Sequence, residues 1–313
     1  MTILTVTANP ALDLSTEAPA VIPDRKLRCS EPLVHPGGGG VNVSRAIHNL
    51  GGASRALLAH GGPTGALLVD LIRAEGLRPE PLGVSHPTRQ SMSVSDRATG
   101  LQYRFMLPGP PWTDLDASSA RAAILAAVTP GALVVPSGSL PPGLEIGFFL
   151  DLVPLIAAKG GRMVLDTSGD ALLEAARARA GLHVLRMDTV EAEELCGRHL
   201  TSVEEIAAVT SEIRAGGAAE IVMVAAGADG NVIDTGEWRG LCRPPVVVAH
   251  SKIGAGDSFV GAFCMALERG DDPVTACAWG TAAAASAVRE VGTRLCQRAD
   301  TERFFEQVTR TAL

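Results

Sequence analysis

One short segment, Ile253 to Ala262, constrains this chain more than any other, because it places three glycines and one carboxylate where a loop turns into a helix. Apolar residues then recur at close to helical spacing as far as Leu267, which predicts a helix that begins near Asp257. The free N–H groups at such a helix start attract anions, since unpaired donors and the positive end of the helix dipole coincide there. A carboxylate beside a bound phosphoryl group is useful when it accepts the proton of an attacking hydroxyl. The segment therefore indicates phosphoryl transfer to an alcohol, with a plain glycine-rich turn capped by Asp257 as the alternative.

A second glycine cluster, Gly37 to Gly40, precedes another amphipathic stretch, which ends at the pair Gly51-Gly52. Consecutive glycines allow the backbone to approach a ligand closely, because no Cβ stands in the way. Asn42 follows in the first turn of the predicted helix, where its amide can both donate to and accept from sugar hydroxyls. Neither cluster fits a P-loop, a dinucleotide-binding turn or the motifs of protein kinases. Another kind of phosphate-handling site is indicated.

Short runs rich in β-branched residues alternate with helical stretches, which predicts a mainly parallel sheet with helices on both faces. The predicted strands are 2–8, 55–60, 132–136, 162–166, 183–187, 220–224 and 245–249. The predicted helices are 41–50, 64–75, 116–128, 145–158, 170–180, 201–215, 257–268, 273–288 and 300–310. Two segments, 12–34 and 90–107, look like strands without intervening helices, so we expect a small projecting sheet that acts as a lid or a dimer contact. No linker divides the chain, and we expect a single domain over residues 1–313.

The composition argues against several classes of function. The net charge is −7 and aromatic residues make up 4% of the chain, so we expect no nucleic-acid partner. No apolar run reaches the length of a membrane span, so we expect no membrane partner. The first residues read as a strand and not as a signal peptide, and the six cysteines lack metal-binding spacing. A cytoplasmic protein with ordinary thiols is the simplest interpretation.

The two glycine clusters, PGGGGVNVSRAIHNLGG and IGAGDSFVGAF, resemble the two signatures of the ribokinase-like (PfkB-type) carbohydrate kinases. The resemblance spans essentially the whole chain and includes TANPALD, SGSLPPG, DTSG and GTRLC. It implies a three-layer α/β fold with a small β-sheet lid, ATP as co-substrate, Mg²⁺, and K⁺ beside the anion-binding loop. It also implies a homodimer formed through the lid, although Ile22 stands where the family often offers an aromatic residue to its partner.

The family's catalytic and substrate-binding residues carry over onto matching positions of this sequence. Asp257 would be the base that accepts the proton of the sugar's C1 hydroxyl. The anion hole for the moving phosphoryl group would be formed by the N–H groups of Gly254, Ala255 and Gly256. The residues that would hold the sugar are Asp13, Gly38, Gly39, Asn42 and Ser139. The cations that match those around the phosphate already on the substrate are Lys26, Arg28 and Arg89.

The nucleotide half of the chain departs from the family's pattern. Asp188 and Glu191 match the element that holds Mg²⁺ through water, with Asp in place of the usual Asn. The other departures are Arg186 for Lys, Ala225 and Ala249 for serines, and Lys252 for Thr. The resemblance assigns nucleotide binding to Arg186, Asp188, Ala225, Gly227, Gly230, Ala249, Thr281 and Ala285. It assigns K⁺ binding to Ser251, Ile253, Ala287, Glu290, Gly292 and Arg294. We expect retained catalysis with altered nucleotide affinity, ATP inhibition or potassium dependence.

The resemblance implies the ATP-dependent phosphorylation of fructose 6-phosphate to the 1,6-bisphosphate. The nearest alternative is a kinase of fructose 1-phosphate or tagatose 6-phosphate. Those relatives commonly carry Lys where this chain has Gly39, and they lack the pattern of Lys26 and Arg28. A third hypothesis is a sugar-phosphate-binding regulator without catalysis. Such a protein would be expected to lose Asp257 or the anion-hole glycines first, and both are present.

Overall fold

A ten-stranded sheet and a smaller four-stranded sheet form the framework of the molecule, in a computed structural model that describes residues 2–290 and 294–313. The strands are β1 Ile3–Thr7, β2 Ala11–Ala18, β3 Leu33–Gly37, β4 Arg55–His60, β5 Pro79–Gly83, β6 Arg89–Asp96, β7 Gln102–Met106, β8 Leu133–Pro136, β9 Arg162–Asp166, β10 Leu182–Asp188, β11 Ala219–Ala225, β12 Asn231–Asp234, β13 Arg239–Arg243 and β14 Thr309–Ala312. The helices are α1 Gly39–Asn49, α2 Gly62–Ala74, α3 Asp114–Ala127, α4 Val153–Ala158, α5 Asp170–Arg177, α6 Thr189–Cys196, α7 Val203–Ala215, α8 Ala255–Arg269, α9 Pro273–Ala287 and α10 Arg298–Phe305.

The large sheet is mainly parallel, as the alternation of strands and helices predicts. Its order is β14-β13-β12-β11-β10-β9-β8-β1-β4-β5, and the pairings from β11 to β5 are parallel. The strands β12, β13 and β14 add an antiparallel edge that the sequence patterns did not predict.

Helices cover both faces of this sheet, because alternate side chains of its strands point in opposite directions. Ile3 of β1 packs in one core with Ile47 of α1 and Phe263 of α8. Leu4, the next residue, packs in the core of the opposite face with Ile124 of α3. All five side chains are fully buried. The predicted three-layer α/β fold is therefore confirmed.

The predicted strand 245–249 is wrong. Pro244 and Pro245 have no N–H groups to donate to a ladder, and Val246 and Val248 are exposed. The strand in this part of the chain is β13, which ends just before the prolines.

Two predicted helices are shorter than expected. The predicted helix 145–158 is helical only from Leu150, first as a 3₁₀ turn and then as α4. The predicted helix 300–310 stops at Phe305, and residues from Thr309 pair with β13 as strand β14. The helix α6 was not predicted; it is a short helix whose N-terminus is capped by Asp188.

The carboxyl ends of the parallel strands meet at one edge of the sheet, which is where ligands bind in open α/β sheets. Asp166 ends β9, Asp188 ends β10 and Ala225 ends β11. The helix α8, which begins within the segment Ile253 to Ala262, lies against α1 and α9. The fold therefore brings the two glycine clusters and several polar strand ends to the same region.

The smaller sheet matches the predicted lid. Its order is β3-β2-β6-β7, with β2 and β6 parallel and the outer pairs antiparallel. Residues 19–32, which connect β2 to β3, lie outside regular strands and helices. The exposed large apolar side chains of this sheet are Leu33, Met92, Tyr103, Phe105 and Met106. Within the described residues, no helix is long and apolar enough to cross a membrane.

Candidate active site

The start of α8 presents unpaired backbone donors. Gly254 precedes the helix with a φ of 74°, a left-handed conformation that favours glycine. Within the described ranges, the N–H groups of Ala255, Gly256 and Asp257 have no hydrogen-bond acceptor, whereas Ser258 donates to the Gly254 carbonyl. Three free N–H groups at the positive end of a 15-residue helix form an anion-binding site.

Asp257 lies in this first helical turn as a half-buried carboxylate. Burial raises its pKa from 3.8 to about 7, and the neighbouring charge of Asp166 adds to the increase. A hydrogen bond from Asn42 Nδ2 to Asp257 Oδ2, at 2.9 Å, acts in the opposite direction, as does the charge of Arg186. A carboxylate with a pKa near 7 has the proton affinity that suits a general base at neutral pH.

The first glycine cluster packs the start of α1 tightly against neighbouring strands. A Cβ on Gly39 would lie 2.4 Å from Ser137 Oγ and 2.5 Å from the Gly138 nitrogen. Gly38 has a φ of 110°, and a Cβ there would lie 2.8 Å from Thr7 Cγ2. Glycine is required at these two positions, so the cluster has a packing role as well as any role in ligand binding.

Asp13 on β2 is the second carboxylate with a strongly raised pKa in this region. Burial raises its pKa to about 6, while the charges of Arg89, Arg104 and Arg45 lower it. A Cβ on Gly37 would lie 2.1 Å from Asp13 Oδ2, so the glycine makes room for the carboxylate. A small open cavity lies beside it, lined by Asp13, Leu14, Ser91, Met92, Ser93, Arg104, Met106 and Ile253. An acidic and a basic side chain thus face one small cavity whose other lining residues are partly apolar.

Arg89 is held in place by main-chain carbonyls. Its Nε and Nη2 donate to the Asn9 carbonyl at 3.3 and 3.2 Å, and its Nη1 donates to the Leu107 carbonyl at 3.2 Å. Asn9 also donates through Nδ2 to Ser139 Oγ at 3.2 Å. The predicted substrate residues Arg89 and Ser139 are therefore linked through Asn9, which was not predicted.

Lys26 and Arg28 are exposed in the loop of residues 19–32. No hydrogen bond or ion pair joins either side chain to another described residue. Their role in phosphate binding beside Arg89 stays a prediction.

Comparison with known proteins identifies the family. The family model described as pfkB family carbohydrate kinase matches residues 7–300. The chain belongs to this family. As a carbohydrate kinase it is a phosphotransferase with an alcohol group as acceptor, and the predicted enzyme class is confirmed.

Two relatives are similar to this chain over most of its length. The ATP-dependent 6-phosphofructokinase isozyme 2 of Mycobacterium tuberculosis strain H37Rv is 36% identical over 304 residues, which cover 97% of this chain and 89% of that relative. The 1-phosphofructokinase of Rhodobacter capsulatus is 30% identical over 297 residues, which cover 94% of this chain and 92% of that relative.

Solved structures of phosphofructokinase-2 from Escherichia coli share the fold. The complex with fructose-6-phosphate has a TM-score of 0.91 at 34% identity, covering 98% of this chain and 99% of that chain. The complex with potassium has a TM-score of 0.92 at 35% identity, covering 98% of each chain. A tetrameric inhibited form of the same protein has a TM-score of 0.91 at 34% identity, also covering 98% of each chain.

In this carbohydrate kinase, Asp166 connects Ser137, which lies beside the first glycine cluster, with Arg186, which lies beside the start of α8. Its Oδ2 accepts from Ser137 Oγ at 2.8 Å, and its Oδ1 accepts from Arg186 Nη1 at 3.2 Å. Arg186 in turn lies beside the helix start, because a Cβ on Gly256 would be 3.1 Å from its Nη1. The buried Nε of Arg186 has no acceptor among the described residues. The arginine is therefore available to an anion bound at the start of α8.

Asp188 and Glu191 form a reciprocal cap at the start of α6. Asp188 Oδ1 accepts from the Glu191 N–H at 2.9 Å, and Glu191 Oε2 accepts from the Asp188 N–H at 2.8 Å. Burial raises the pKa of Glu191 to about 7, and the charge of Asp188 adds to this. Within the described residues, no group of three or more His, Cys, Asp or Glu side chains is arranged to hold a metal. The two carboxylates still fit Mg²⁺ bound through water, since each keeps one oxygen outside the cap.

The predicted nucleotide residues lie around the carboxyl ends of β10 and β11. Ala225, Gly227 and Gly230 form the end of β11 and the short turn into β12, and Ala249 lies in the irregular stretch before α8. Thr281 and Ala285 are buried on α9, where Thr281 Oγ1 accepts from a side chain of β12. No observation tests their contact with a nucleotide, so these assignments stay predictions.

The predicted potassium residues lie around the end of α9. The N–H groups of His250 and Ser251 donate to the Val288 carbonyl, which brings the loop before α8 to this helix end. The loop and helix residues in question are Ser251, Ile253, Ala287 and Glu290, with Arg294 following. Gly292, the sixth residue of the set, lies outside the described residues. The K⁺ site stays a prediction.

Four site residues are missing from the predicted set, and three of them have no local signal. Arg104 comes to Asp13 through the pairing of β6 with β7, and Asn9 reaches Ser139 across 130 residues of chain. Asp166 has a signal in the sequence, since a single acid ends a buried strand. Arg45 gives none, because it reads as one charge on an amphipathic helix.

Proposed function

We propose that this kinase transfers the γ-phosphoryl group of ATP to the C1 hydroxyl of fructose 6-phosphate. The observation that carries the proposal is the position of Asp257, a carboxylate with a pKa near 7 in the same helical turn as three unpaired N–H groups. Phosphoryl transfer to an alcohol requires a base and an anion-binding site close to each other. The choice of sugar phosphate is supported by the 36% identity to the M. tuberculosis 6-phosphofructokinase.

Each part of the site has a distinct task in this proposal. Asp13 accepts hydrogen bonds from the sugar hydroxyls and fixes C1 near Asp257. Asp257 removes the proton of the C1 hydroxyl as its oxygen attacks the phosphorus. The N–H groups of residues 255–257, with Arg186 beside them, stabilise the negative charge of the transferred group. Mg²⁺, held through water by Asp188 and Glu191, supplies further charge neutralisation when bound.

The phosphate already on the sugar needs cations at the far end of the cavity. We assign this task to Arg89, together with the predicted pair Lys26 and Arg28. Arg104 faces the same cavity and adds a fourth positive charge that was not predicted. Substrates without a phosphate would leave these cations unpaired, so kinases of plain sugars or nucleosides are less favoured.

The alternative is phosphorylation of fructose 1-phosphate or tagatose 6-phosphate, and the relative from R. capsulatus keeps it open. A non-catalytic regulator is disfavoured, since both the base and the anion site are intact.

A coupled ADP-release assay tests the proposal on fructose 6-phosphate, fructose 1-phosphate, tagatose 6-phosphate, fructose and ribose. We expect the highest kcat/KM for fructose 6-phosphate, with Asp257→Asn giving the background rate. A higher kcat/KM for fructose 1-phosphate would establish the alternative, and ADP release independent of any sugar would refute a sugar kinase.

We propose that ATP and Mg²⁺ are the co-substrate pair and that K⁺ binds at the end of α9. The complex of the E. coli enzyme with potassium supports the second part. Rates with K⁺, with Na⁺ and without either test it. Because Lys252 brings a positive charge into this segment, K⁺-independent turnover would show that the site is lost in this chain.

We also propose a homodimer formed through the lid, and a cytoplasmic location, which suits six free cysteines. The lid sheet carries five exposed large apolar side chains, and such patches are typical of interfaces. Sedimentation of Phe105→Glu tests the dimer, with Leu115→Glu on the exposed face of α3 as control. We expect only the lid variant to become monomeric. Dimers in both variants would place the interface elsewhere, and a tetramer, as described for the E. coli protein, would add a second interface.

A further inference from the structure

Arg45 is a buried arginine on α1 whose three guanidinium nitrogens all have partners. Its Nε donates to Glu75 Oε2 at 2.6 Å and its Nη2 to Glu75 Oε1 at 2.8 Å, a bidentate ion pair. Its Nη1 turns towards the site and donates to Asn42 Oδ1 at 3.1 Å and to the Pro36 carbonyl at 3.3 Å. The Arg45 side chain is only 9% exposed, so water competes weakly for these contacts.

The contact with Arg45 decides which way the Asn42 amide faces. A guanidinium group can only donate hydrogen bonds, so the atom of Asn42 that meets it must be the oxygen. The opposite end of the amide is then Nδ2, which donates to Asp257 Oδ2 at 2.9 Å. An amide donor pairs with the ionised carboxylate, which is the form that accepts a proton. A rotated amide would offer its oxygen and pair with the protonated acid instead.

We propose that Arg45 and Glu75 are positioning residues for the catalytic base, because they fix the Asn42 amide as a donor to Asp257. The inference rests on the proposed function, since it requires Asp257 to act as a base. Glu75 anchors the guanidinium, Arg45 orients the amide, and the amide favours the ionised carboxylate. In this proposal the effect of Arg45 and Glu75 on Asp257 passes through the Asn42 amide.

Other charges act on the same carboxylate and must be separated from this effect. The charged side chains that influence Asp257 from neighbouring strands are Asp166 of β9, Asp13 of β2 and Arg186 of β10. Arg45 also lowers the pKa of Asp13 through its charge, and that of His35 on β3. Removal of Arg45 could therefore act on the site through Asp13 as well as through Asn42. A double-mutant cycle distinguishes the two routes.

The test is the pH profile of kcat for Arg45→Met, Asn42→Ala and the double variant, measured with the full chain and whichever sugar phosphate it accepts. In Arg45→Met we expect the midpoint of the acidic limb of this profile to move to a pH about one unit higher, because the hydrogen bond that favours ionised Asp257 is lost. The kcat then falls about fivefold at pH 7 and approaches the wild-type value at pH 9. In the Asn42→Ala background, Arg45→Met moves the limb no further.

Two controls separate positioning from damage to the fold. Arg55 forms a similar bidentate pair with Glu80 at 2.5 and 2.8 Å, away from the site, so Arg55→Met should leave the limb in place. If Arg45→Met does not fold, Glu75→Gln tests the same chain of contacts. We then expect a smaller shift of the midpoint to higher pH, because the ion pair that anchors Arg45 is weakened.

The outcomes are distinguishable from failure of the proposed function. Three results would overturn the positioning role of Arg45. They are an acidic limb of the pH profile that does not move in folded Arg45→Met, a loss of rate that is equal at all pH values, and a movement of the limb that persists in the Asn42→Ala background. Full activity of Asp257→Asn would instead overturn the role of the base itself.

Discussion

Lowering the pH from 8 to 6 should reduce kcat about tenfold. The folded-state pKa of Asp257 is raised to about 7, so the base-competent, ionised form falls away as the pH drops through 7. With that pKa, about nine-tenths of the enzyme carries the ionised base at pH 8 and about one-tenth at pH 6. Burial and Asp166 are the physical causes, and both act against the charged form.

The assay is the initial rate of ADP release at saturating ATP and sugar phosphate, with coupling enzymes in excess at every pH and constant ionic strength. Asp13, with a pKa of about 6, accepts from the sugar in the proposed function, so its protonation should raise KM at the lowest pH values. Separate plots of kcat and kcat/KM distinguish the two carboxylates.

A kcat that stays constant between pH 6 and pH 8 would refute the reasoning, provided that chemistry limits the rate. A rapid-quench experiment checks this condition, since a burst of product would show that release is slower than transfer. If the residual kcat of Asp257→Asn still falls as the pH drops from 8 to 6, a group other than Asp257 causes the pH dependence.

Three further predictions concern packing, stability and the metal. Gly39→Ala should lower kcat/KM at least about tenfold, because the added Cβ would lie 2.4 Å from Ser137 Oγ and displace the start of α1. A tenfold change corresponds to about 1.4 kcal/mol of lost binding. The control is Gly83→Ala, whose Cβ would meet nothing within 4 Å. Asp257→Asn should raise Tm by about 2–4 °C at pH 8.5 and by less than half as much at pH 5, because the wild type is destabilised progressively as the pH rises from the unfolded pKa of 3.8 to the folded pKa of about 7; calorimetry at both pH values checks the sign. Glu191→Gln should raise the Mg²⁺ concentration needed for half-maximal rate, and an unchanged value in a magnesium titration would remove Glu191 from the metal site.

The start of α8, with its carboxylate in the first turn, could be predicted from the sequence, because the signals are local. Glycine before a helix, an acid in its first turn and apolar spacing behind it all lie within 15 residues. Most of the parallel part of the sheet could be predicted for a similar reason, since buried parallel strands read as short apolar runs. The parallel edge strand β5 was missed, because it is partly exposed and contains two prolines.

The antiparallel edge and the charge network depend on pairings that a single sequence does not reveal. The strands β12 to β14 are short, and β14 joins the sheet only through its contact with β13. Arg45 on α1 and Glu75, which directly follows α2, lie 30 residues apart, and the amide between Arg45 and Asp257 connects segments 215 residues apart. Lys26 and Arg28 show the opposite case: their charge pattern is local in the sequence, and both side chains are exposed in the loop between β2 and β3.

The turnover of Asp257→Asn with fructose 6-phosphate, measured beside its affinity for that sugar phosphate, tests the catalytic role of Asp257 most directly. We expect kcat to fall by about 10²–10⁴-fold, the usual contribution of a general base, while the sugar phosphate still binds with nearly wild-type affinity. A variant that binds fructose 6-phosphate and phosphorylates it at the wild-type rate would contradict the assignment of Asp257 as the base.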